Sequence, residues 1–313
     1  MDFNPTIPWL LASDVSIQYQ VHRDLLDIDR PDLRRRIALE GWGKAFLSSK
    51  QGKKHWGQAF YQPKWISSHY TLLDLKNLAI EPGTPIIQET LQIILQEEKG
   101  PDGGVRPIGS TQQSDVCING MFLNYATYFQ VDKQALHSVV DFLLSQHMQD
   151  GGFNCQSNRK GCVHSSLHST ISVLEGIQEY FRNGYTYRLA ELLSAAEASR
   201  EFIWIHRLYK SDKTGIVIDP KMTMLSFPSR WRYDILRALD YFQYANILWD
   251  PRMQDAIDLL LKKRNQAGFW PLQCKHPGLT HFDMEPIGKA SRWNTLRALR
   301  VLKKYDAVFS VAP

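Results

Sequence analysis

Five segments of this chain are apolar on nearly their whole circumference, and they alternate with segments that are amphipathic and more charged. The apolar segments cover residues 67–80, 115–129, 164–180, 229–242 and 291–305. The amphipathic segments cover residues 32–49, 85–98, 134–148, 187–208 and 251–264. Both kinds follow the 3.6-residue period of an α-helix, and convincing strand patterns are few. Because a helix that is apolar all round has to be surrounded by other elements, the pattern predicts inner helices enclosed by outer ones.

The pairs of helices repeat at intervals of roughly 50 residues, which is typical of stacked repeat folds. Ser67 and Asp115 begin apolar segments 48 residues apart, and His164 begins the next one 49 residues later. Such a repeat forms either an open solenoid or a closed ring. In an open solenoid both helices of a pair have a solvent side, so nearly apolar inner helices favour closure. We therefore expect an all-α fold, an α/α toroid, in one domain spanning residues 1–313, with residues 1–60 as a less regular helix pair.

The amphipathic segments end in similar corners. In three of them a Gln or Lys is followed after five residues by Gly and after two more by a large residue: Gln146, Gly151 and Phe153; Lys263, Gly268 and Trp270; Lys210, Gly215 and Val217. A looser copy ends at Gly103 and Val105. Glycine provides the left-handed turn that ends a helix, and the large residue can pack under the next unit.

Composition and charge exclude several functional classes. The formal net charge is +5, and Lys and Arg are interleaved with acids, so we expect no nucleic-acid partner. No apolar run reaches the ~18 residues of a membrane span, and the N-terminus lacks a secretory signal, which predicts a cytoplasmic protein. Peripheral membrane contact stays open. Four cysteines are too few for a disulfide scaffold, so they are expected to be thiols or metal ligands.

Residues that begin inner helices are expected to meet at one end of the fold, since each inner helix follows an outer helix that runs the other way. Asp115 and Cys117 open one inner helix, and Cys162 and His164 open the next, with Asp115 and Cys162 47 residues apart. Carboxylate, thiolate and imidazole are zinc ligands, so these four residues are candidates for a Zn²⁺ site. In the alternative, Asp115 only caps its helix by accepting from the backbone of Ile118, and the cysteines are buried packing residues.

The corner pattern resembles the repeat of the squalene cyclase and prenyltransferase superfamily of α/α toroid proteins, over nearly the whole chain. In prenyltransferase β-subunits an Asp-x-Cys and a His hold zinc, which implies Asp115, Cys117 and His164 here. Lanthionine synthetase cyclases use Cys-Cys-His, which implies Cys117, Cys162 and His164. Triterpene cyclases protonate an alkene with the Asp of a Ser-Asp-Cys-Thr-Ala stretch, and Ser-Asp-Val-Cys around Asp115 is similar. The chain lacks the DxDDTA motif of such cyclases.

Further residues near the starts of inner helices are candidates for substrate binding. They are His69, Tyr70, Arg230, Trp231, Asp234, Arg292 and Trp293. Guanidinium groups can bind a diphosphate, and aromatic faces can stabilise a carbocation. The alternatives are that the arginines pair with nearby acids and that the aromatic side chains are core. The segments from Ser229 and Ser291 both begin Ser-Arg-Trp, and we expect each Ser to cap a helix.

These patterns predict an enzyme of terpenoid cyclase or prenyl-transfer type that holds an isoprenoid or other apolar substrate in a central cavity. Asp115 and His164 are the catalytic candidates, with Asp115 as acid or zinc ligand. The alternative is a non-catalytic toroid that binds an isoprenoid or lipid or serves as a scaffold. A saccharide-processing enzyme is a third alternative, but Asp115 and Asp234 are the only candidates for an acid pair at inner-helix starts.

Overall fold

A computed structural model of the chain describes residues 6–108, 113–156 and 161–309. These residues form helices joined by turns and a few isolated β-bridges, and they contain no strand. The α-helices are α1 (Thr6–Leu11), α2 (Val15–Asp24), α3 (Pro31–Arg36), α4 (Gly41–Ser48), α5 (Ser68–Asn77), α6 (Pro85–Glu97), α7 (Val116–Tyr128), α8 (His137–Ser145), α9 (Leu167–Arg182), α10 (Leu189–Ile205), α11 (Ile235–Tyr244), α12 (Gln254–Lys262) and α13 (Arg292–Phe309). In this part of the chain no helix is long and apolar enough to cross a membrane.

The chain divides into two compact units. Unit 1 contains residues 1–44, 203–277 and 282–313, and unit 2 contains residues 45–202 and 278–281. The division falls inside α4 and α10. The prediction of one domain stays a prediction, because the division into units does not show whether they fold together.

The predicted segments and the helices agree except at their ends and near the N-terminus. The nearly apolar segment at 115–129 is α7, in which almost every residue is buried. The segment predicted at 32–49 is two helices, α3 and α4, because Gly41 adopts a left-handed conformation with a φ of 60°. A side chain at this position would collide with the carboxylate of Asp14, so only glycine fits there.

The corners form as predicted. Gly103, Gly151 and Gly268 have φ angles of 86°, 93° and 90°, in the left-handed region. The large residue two positions later is fully or almost fully buried in each case, at Val105, Phe153 and Trp270. Gly215 also has a positive φ of 69°, although Val217 after it is only half-buried.

The backbone of each buried corner residue is hydrogen-bonded to a side chain of the helix that follows. Asn119, the fourth residue of α7, accepts from the Val105 N–H at 2.7 Å and donates to the Val105 carbonyl at 3.0 Å. Thr170, the fourth residue of α9, has the same role at the next corner. Its Oγ1 accepts from the Phe153 N–H at 3.0 Å. These bonds satisfy backbone groups that would otherwise be buried without a partner.

The fourth residue of α13 completes the series. Thr295 Oγ1 accepts from the N–H of Trp270 at 3.0 Å. Each of the three corners with a buried residue is therefore fixed by the helix that follows it, two in unit 2 and one in unit 1.

Helices α7 and α9 pack at unusually close range in unit 2. A Cβ atom on Gly120 would lie 2.7 Å from the Ser172 carbonyl oxygen, and one on Gly176 would collide with the backbone of Gly120. These two helices therefore contact each other backbone to backbone, which places the start of α7 beside the start of α9.

In unit 1 the first and last parts of the chain pack together through α2 and α13. The Arg300 guanidinium lies 2.5 Å from the Asp24 carboxylate and 2.6 Å from the Gln20 side-chain oxygen. The arginine holds the pKa of Asp24 below its ordinary value against the opposing effect of burial. These polar contacts therefore link α2, near the start of the chain, to α13, near its end.

The two Ser-Arg-Trp sequences occupy different positions. Ser291 caps α13, since its hydroxyl accepts from the Asn294 N–H at 3.0 Å. The expectation for Ser229 is wrong, because α11 begins six residues later and Asp234 caps it by accepting from the Arg237 N–H at 2.9 Å. Ser229 lies in a turn that also contains Arg230, whose φ is 57°. The similar sequences therefore do not mark equivalent helix starts.

Candidate functional site

The start of α7 in unit 2 carries a pair of cysteines, Cys117 and Cys155. Cys117 is the second residue of α7, and its backbone N–H donates to Cys155 Sγ at 3.0 Å. Ser169 of α9 donates its hydroxyl to the same sulfur at 3.3 Å, and accepts from the Cys155 N–H at 3.1 Å. A helix N-terminus and a hydroxyl donor both stabilise a thiolate.

The pKa values of the two thiols are shifted in opposite directions. A hydrogen bond from Cys117 lowers the pKa of Cys155, with further help from Ser169 and the Cys117 N–H, while burial opposes the change. The same hydrogen bond, burial and the charge of Asp115 raise the pKa of Cys117. Because two additional donors point at Cys155, this residue is the better thiolate of the pair.

Asp115 and Tyr61 complete what we call the acid–thiol cluster, which consists of Tyr61, Asp115, Cys117 and Cys155. The pKa of Tyr61 is raised by burial first and then by Cys117, Asp115 and Cys155, so these groups lie within electrostatic reach of its phenol. All four residues are half-buried and so keep some accessible surface. The Tyr61 hydroxyl is hydrogen-bonded to the Tyr70 hydroxyl at 3.0 Å.

An aromatic layer of His69, Tyr70 and Tyr125 lies behind Tyr61. His69 is fully buried, and burial lowers its pKa to about 3, so its ring is neutral. Its Nδ1 is hydrogen-bonded to the Tyr125 hydroxyl at 3.1 Å, and its Nε2 has no hydrogen-bond partner among the described residues. The His69 ring centroid lies 4.8 Å from that of Tyr70 and 5.4 Å from that of Tyr61.

The structure brings together only part of the residues proposed for zinc. No group of His, Cys, Asp and Glu in the described ranges is arranged to hold a metal ion. The Asn154 side-chain amide donates to Cys162 Sγ at 3.2 Å, and the Cys162 thiol donates to the His164 carbonyl at 3.4 Å. His164 is exposed. These residues therefore do not fit a zinc ion as they stand, and the zinc site stays a prediction without support from the geometry.

The cap alternative for Asp115 also needs revision. Asp115 stands at the N-cap position of α7, but its side chain makes no capping hydrogen bond. The predicted substrate contacts of His69 and Tyr70 are likewise untested, and the full burial of both side chains favours the core alternative.

Sequence reasoning missed Cys155, Ser169 and Tyr61. The corner pattern contained a signal for Cys155, since it lies two residues after the corner residue Phe153, where the chain approaches the next helix start. No comparable signal marked Tyr61, which precedes α5 in an irregular segment.

In unit 1 three arginines surround His276. The pKa of His276 is lowered to about 4, by burial first and then by the charges of Arg232, Arg230 and Arg237. Arg237 donates to the Arg232 carbonyl at 2.7 Å, and the Arg232 guanidinium lies 4.6 Å from the Trp231 ring centroid. We call Arg230, Arg232, Arg237 and His276 the arginine cluster.

Asp234 and Trp293, two other predicted binding residues, have structural contacts in the same unit. Besides capping α11, the buried Asp234 carboxylate accepts from the Ser226 hydroxyl at 2.6 Å. Trp293 is 1% exposed and stacks on Phe227 with a centroid distance of 4.3 Å. Both observations favour the core alternative, and binding by these two residues is untested.

Arg292 lines an open cavity of about 360 Å³ in unit 1, together with Trp42, Asp14 and Glu285. Its guanidinium lies 4.5 Å from the Trp9 ring centroid. The two carboxylates already accept backbone hydrogen bonds, Asp14 from the Trp42 N–H at 2.8 Å and Glu285 from the Arg292 N–H at 2.6 Å. They hold chain segments together and do not form a free acid pair.

Comparisons with known proteins show the fold of the chain and nothing finer. No protein-family model matches the chain, and no curated protein matches it in sequence. Among solved structures, a glycosyl hydrolase family 88 protein from Bacteroides vulgatus matches with a TM-score of 0.54 and 11% identity, over 93% of this chain and 90% of that one. A polysaccharide lyase matches with a TM-score of 0.53 and 12% identity, over 96% and 91% of the two chains.

A type II terpene cyclase from Scytonema also matches, at 14% identity over 87% of this chain and 96% of that one. Its TM-score is 0.34, which is too low to support an argument. The fold class predicted from the sequence is confirmed, while the particular likeness to squalene cyclases and prenyltransferases stays a prediction. The chain has an all-α toroid fold.

Proposed function

We propose that this protein is an enzyme that acts on an isoprenoid or other apolar substrate at the acid–thiol cluster, with Asp115 as the proton donor. The observation that carries the proposal is the placement of a half-buried carboxyl beside Tyr61 and the thiol pair, in front of a buried aromatic layer. An acid that protonates an alkene has to be kept in its neutral form, and neighbouring negative charge favours that form.

A thiolate at Cys155 would be such a charge. The pKa of Cys155 is lowered, chiefly by a hydrogen bond from Cys117, and the charge of Asp115 opposes this change, so ionisation of either group disfavours ionisation of the other. Aromatic faces next to the acid stabilise a developing carbocation, which is positively charged. Tyr61 is the accessible ring of this set, and Tyr70 positions it through the hydrogen bond between the two hydroxyls.

In the reaction we infer, the Asp115 carboxyl transfers its proton to an alkene carbon, and the cation forms against the Tyr61 face. Loss of a proton from the cation then restores the acid through solvent. A prenyl-transfer reaction with zinc is the less favoured form of this proposal, since the candidate ligands do not form a metal-holding group. No step is assigned to a metal.

Substrate incubation tests the proposal. The full-length protein would be incubated with squalene, farnesyl diphosphate and geranylgeranyl diphosphate, and extracted products would be identified by mass spectrometry. We expect a cyclised or rearranged product that Asp115→Asn abolishes and Asp141→Asn, a matched change at a half-buried acid of α8, leaves intact. Ligand binding without product in the wild-type protein would instead favour the non-catalytic alternative.

A saccharide-processing enzyme is the second candidate. It is favoured by the two fold matches, one named a polysaccharide lyase and the other a family 88 glycosyl hydrolase. The arginine cluster would suit a carboxylated sugar. Incubation with acidic oligosaccharides distinguishes the two, because chain cleavage that survives Asp115→Asn would contradict the isoprenoid proposal.

A further inference from the structure

The acid–thiol cluster contains two thiols, those of Cys117 and Cys155, that have no direct part in the proton transfer proposed for Asp115. Cys117 and Cys155 lie 38 residues apart in sequence, yet the Cys117 N–H reaches Cys155 Sγ at 3.0 Å. Both cysteines are in the free form, and both residues are half-buried.

Two donors converge on Cys155 Sγ. They are the Cys117 N–H at the start of α7, at 3.0 Å, and the Ser169 hydroxyl, at 3.3 Å. Donors of this kind favour the thiolate, which is the nucleophilic form of cysteine. Cys162 and Cys274 differ in this respect. Among the described residues the Cys162 sulfur accepts from one side-chain amide, and the Cys274 thiol donates to the Lys275 carbonyl at 3.5 Å.

We propose that Cys155 is a site of oxidation by peroxides and that Cys117 is its resolving partner, so that the pair forms a reversible disulfide at the start of α7. This proposal does not depend on the substrate of the enzyme. It rests on the contact between the two cysteines and on the donors around Cys155.

The chemistry balances with hydrogen peroxide as the oxidant. The Cys155 thiolate attacks one peroxide oxygen, the O–O bond breaks, and the departing hydroxide takes a proton from solvent to become water. The resulting sulfenic acid is attacked by Cys117, the S–S bond forms, and a second water leaves with the Cys117 proton. The two thiols together lose two electrons, which the peroxide accepts. A small-molecule dithiol reverses the reaction by thiol–disulfide exchange.

The test uses the full-length protein, reduced, treated with a chelator and then exposed to hydrogen peroxide. Remaining thiols are alkylated, and peptides are mapped by mass spectrometry. We expect the mass of the chain to fall by two hydrogens, a linked peptide pair joining Cys117 to Cys155, and recovery with dithiothreitol. Cys155→Ser should prevent the reaction, whereas the matched change Cys274→Ser should leave it unaltered.

Two further variants identify the roles of the two cysteines even if one of them folds poorly. In Cys117→Ser the Cys155 sulfenic acid should persist and react with a 1,3-dione probe. In Ser169→Ala the rate at Cys155 should fall about fivefold, which corresponds to about 1 kcal/mol for one lost hydrogen bond.

The proposal is overturned if Cys155 reacts no faster than Cys274, or if the linked pair contains Cys162 in place of Cys117. Equimolar zinc in the protein as purified would also overturn it, because a zinc-bound Cys117 could not act as the resolving thiol. Failure of the isoprenoid assay would not affect these outcomes, since they are measured on the thiols alone.

Discussion

At the scale of single residues, the side chains that hold the corners have the clearest energetic role. Thr170 is fully buried and exchanges hydrogen bonds with both backbone groups of Phe153, at 3.0 and 3.3 Å. Thr170→Val keeps the shape but leaves a buried N–H without a partner, which we expect to lower the free energy of unfolding by about 1–3 kcal/mol. Urea denaturation measures this change. Thr214→Val, at an exposed position, should change it by less than about 0.5 kcal/mol.

The buried neutral His69 predicts a loss of stability in acid. Its pKa in the folded protein is about 3, below the ordinary value of 6.5. As the pH falls below about 6.5 the unfolded chain binds a proton that the folded chain does not, so the free energy of unfolding falls, by at most about 1.4 kcal/mol per pH unit for this group. The effect continues down to about pH 3.

We therefore expect His69→Gln to show a weaker decrease in unfolding free energy between about pH 7 and pH 5 than the wild type. Urea denaturation at several pH values measures the slope. His164→Gln, at an exposed histidine, is the matched control. An unchanged slope in His69→Gln would mean that folding does not lower the pKa of His69.

Part of the candidate site could be predicted from sequence at this scale. Asp115 and Cys117 were identified because they begin a helix, and helix starts follow from periodicity and capping. Cys155 was not identified, because its place beside Cys117 depends on how the chain leaves the Phe153 corner and meets α7. The mutual contacts of Tyr61, Tyr70 and His69 were also out of reach, since side-chain packing across different helices leaves no local pattern.

At the scale of helices, the contact between α7 and α9 depends on two glycines. A Cβ on Gly176 would collide with the backbone of Gly120, which cannot move without separating the helices. We expect Gly176→Ala to lower the free energy of unfolding by about 1–3 kcal/mol through overpacking. Thermal or urea denaturation measures the change.

Gly83→Ala is the matched control, because a Cβ there would have no atom within 4 Å. It should be neutral or slightly stabilising, since alanine restricts the unfolded chain. Equal effects of the two substitutions would show that α7 and α9 are not in close backbone contact in solution.

Helix starts also show where sequence similarity misleads. Both Ser-Arg-Trp sequences precede apolar helices, but only Ser291 is a cap, and α11 is capped by Asp234. Asp and Ser are equally good caps, so sequence alone did not decide between Ser229 and Asp234.

At the scale of the whole molecule, the predicted single domain can be tested by calorimetry. A single domain predicts one heat-absorption peak with equal calorimetric and van't Hoff enthalpies. Two resolved peaks would show that units 1 and 2 unfold independently. Arg300→Met, which breaks the contact of α13 with α2, should lower the transition temperature of the peak that contains unit 1.

The fold class was predictable because it rests on features repeated several times along the chain. Nearly apolar segments recur between amphipathic ones, and glycine corners such as Gly151 and Gly268 end the latter. The N-terminal region was less predictable. Gly41 divides a continuous helical pattern there, and the reason is a distant contact with Asp14 that no local rule contains.

The hydrogen bonds of Asn119, Thr170 and Thr295 to the preceding corners limit how this chain can be recombined. A chimera that takes a corner from one relative and the following helix from another would separate donor and acceptor. Viable crossovers should therefore fall within the amphipathic helices. Each glycine corner and the helix that follows it then come from the same parent protein. A shuffled library scored for soluble expression would reveal this preference as junctions clustered in segments such as α6 and α8.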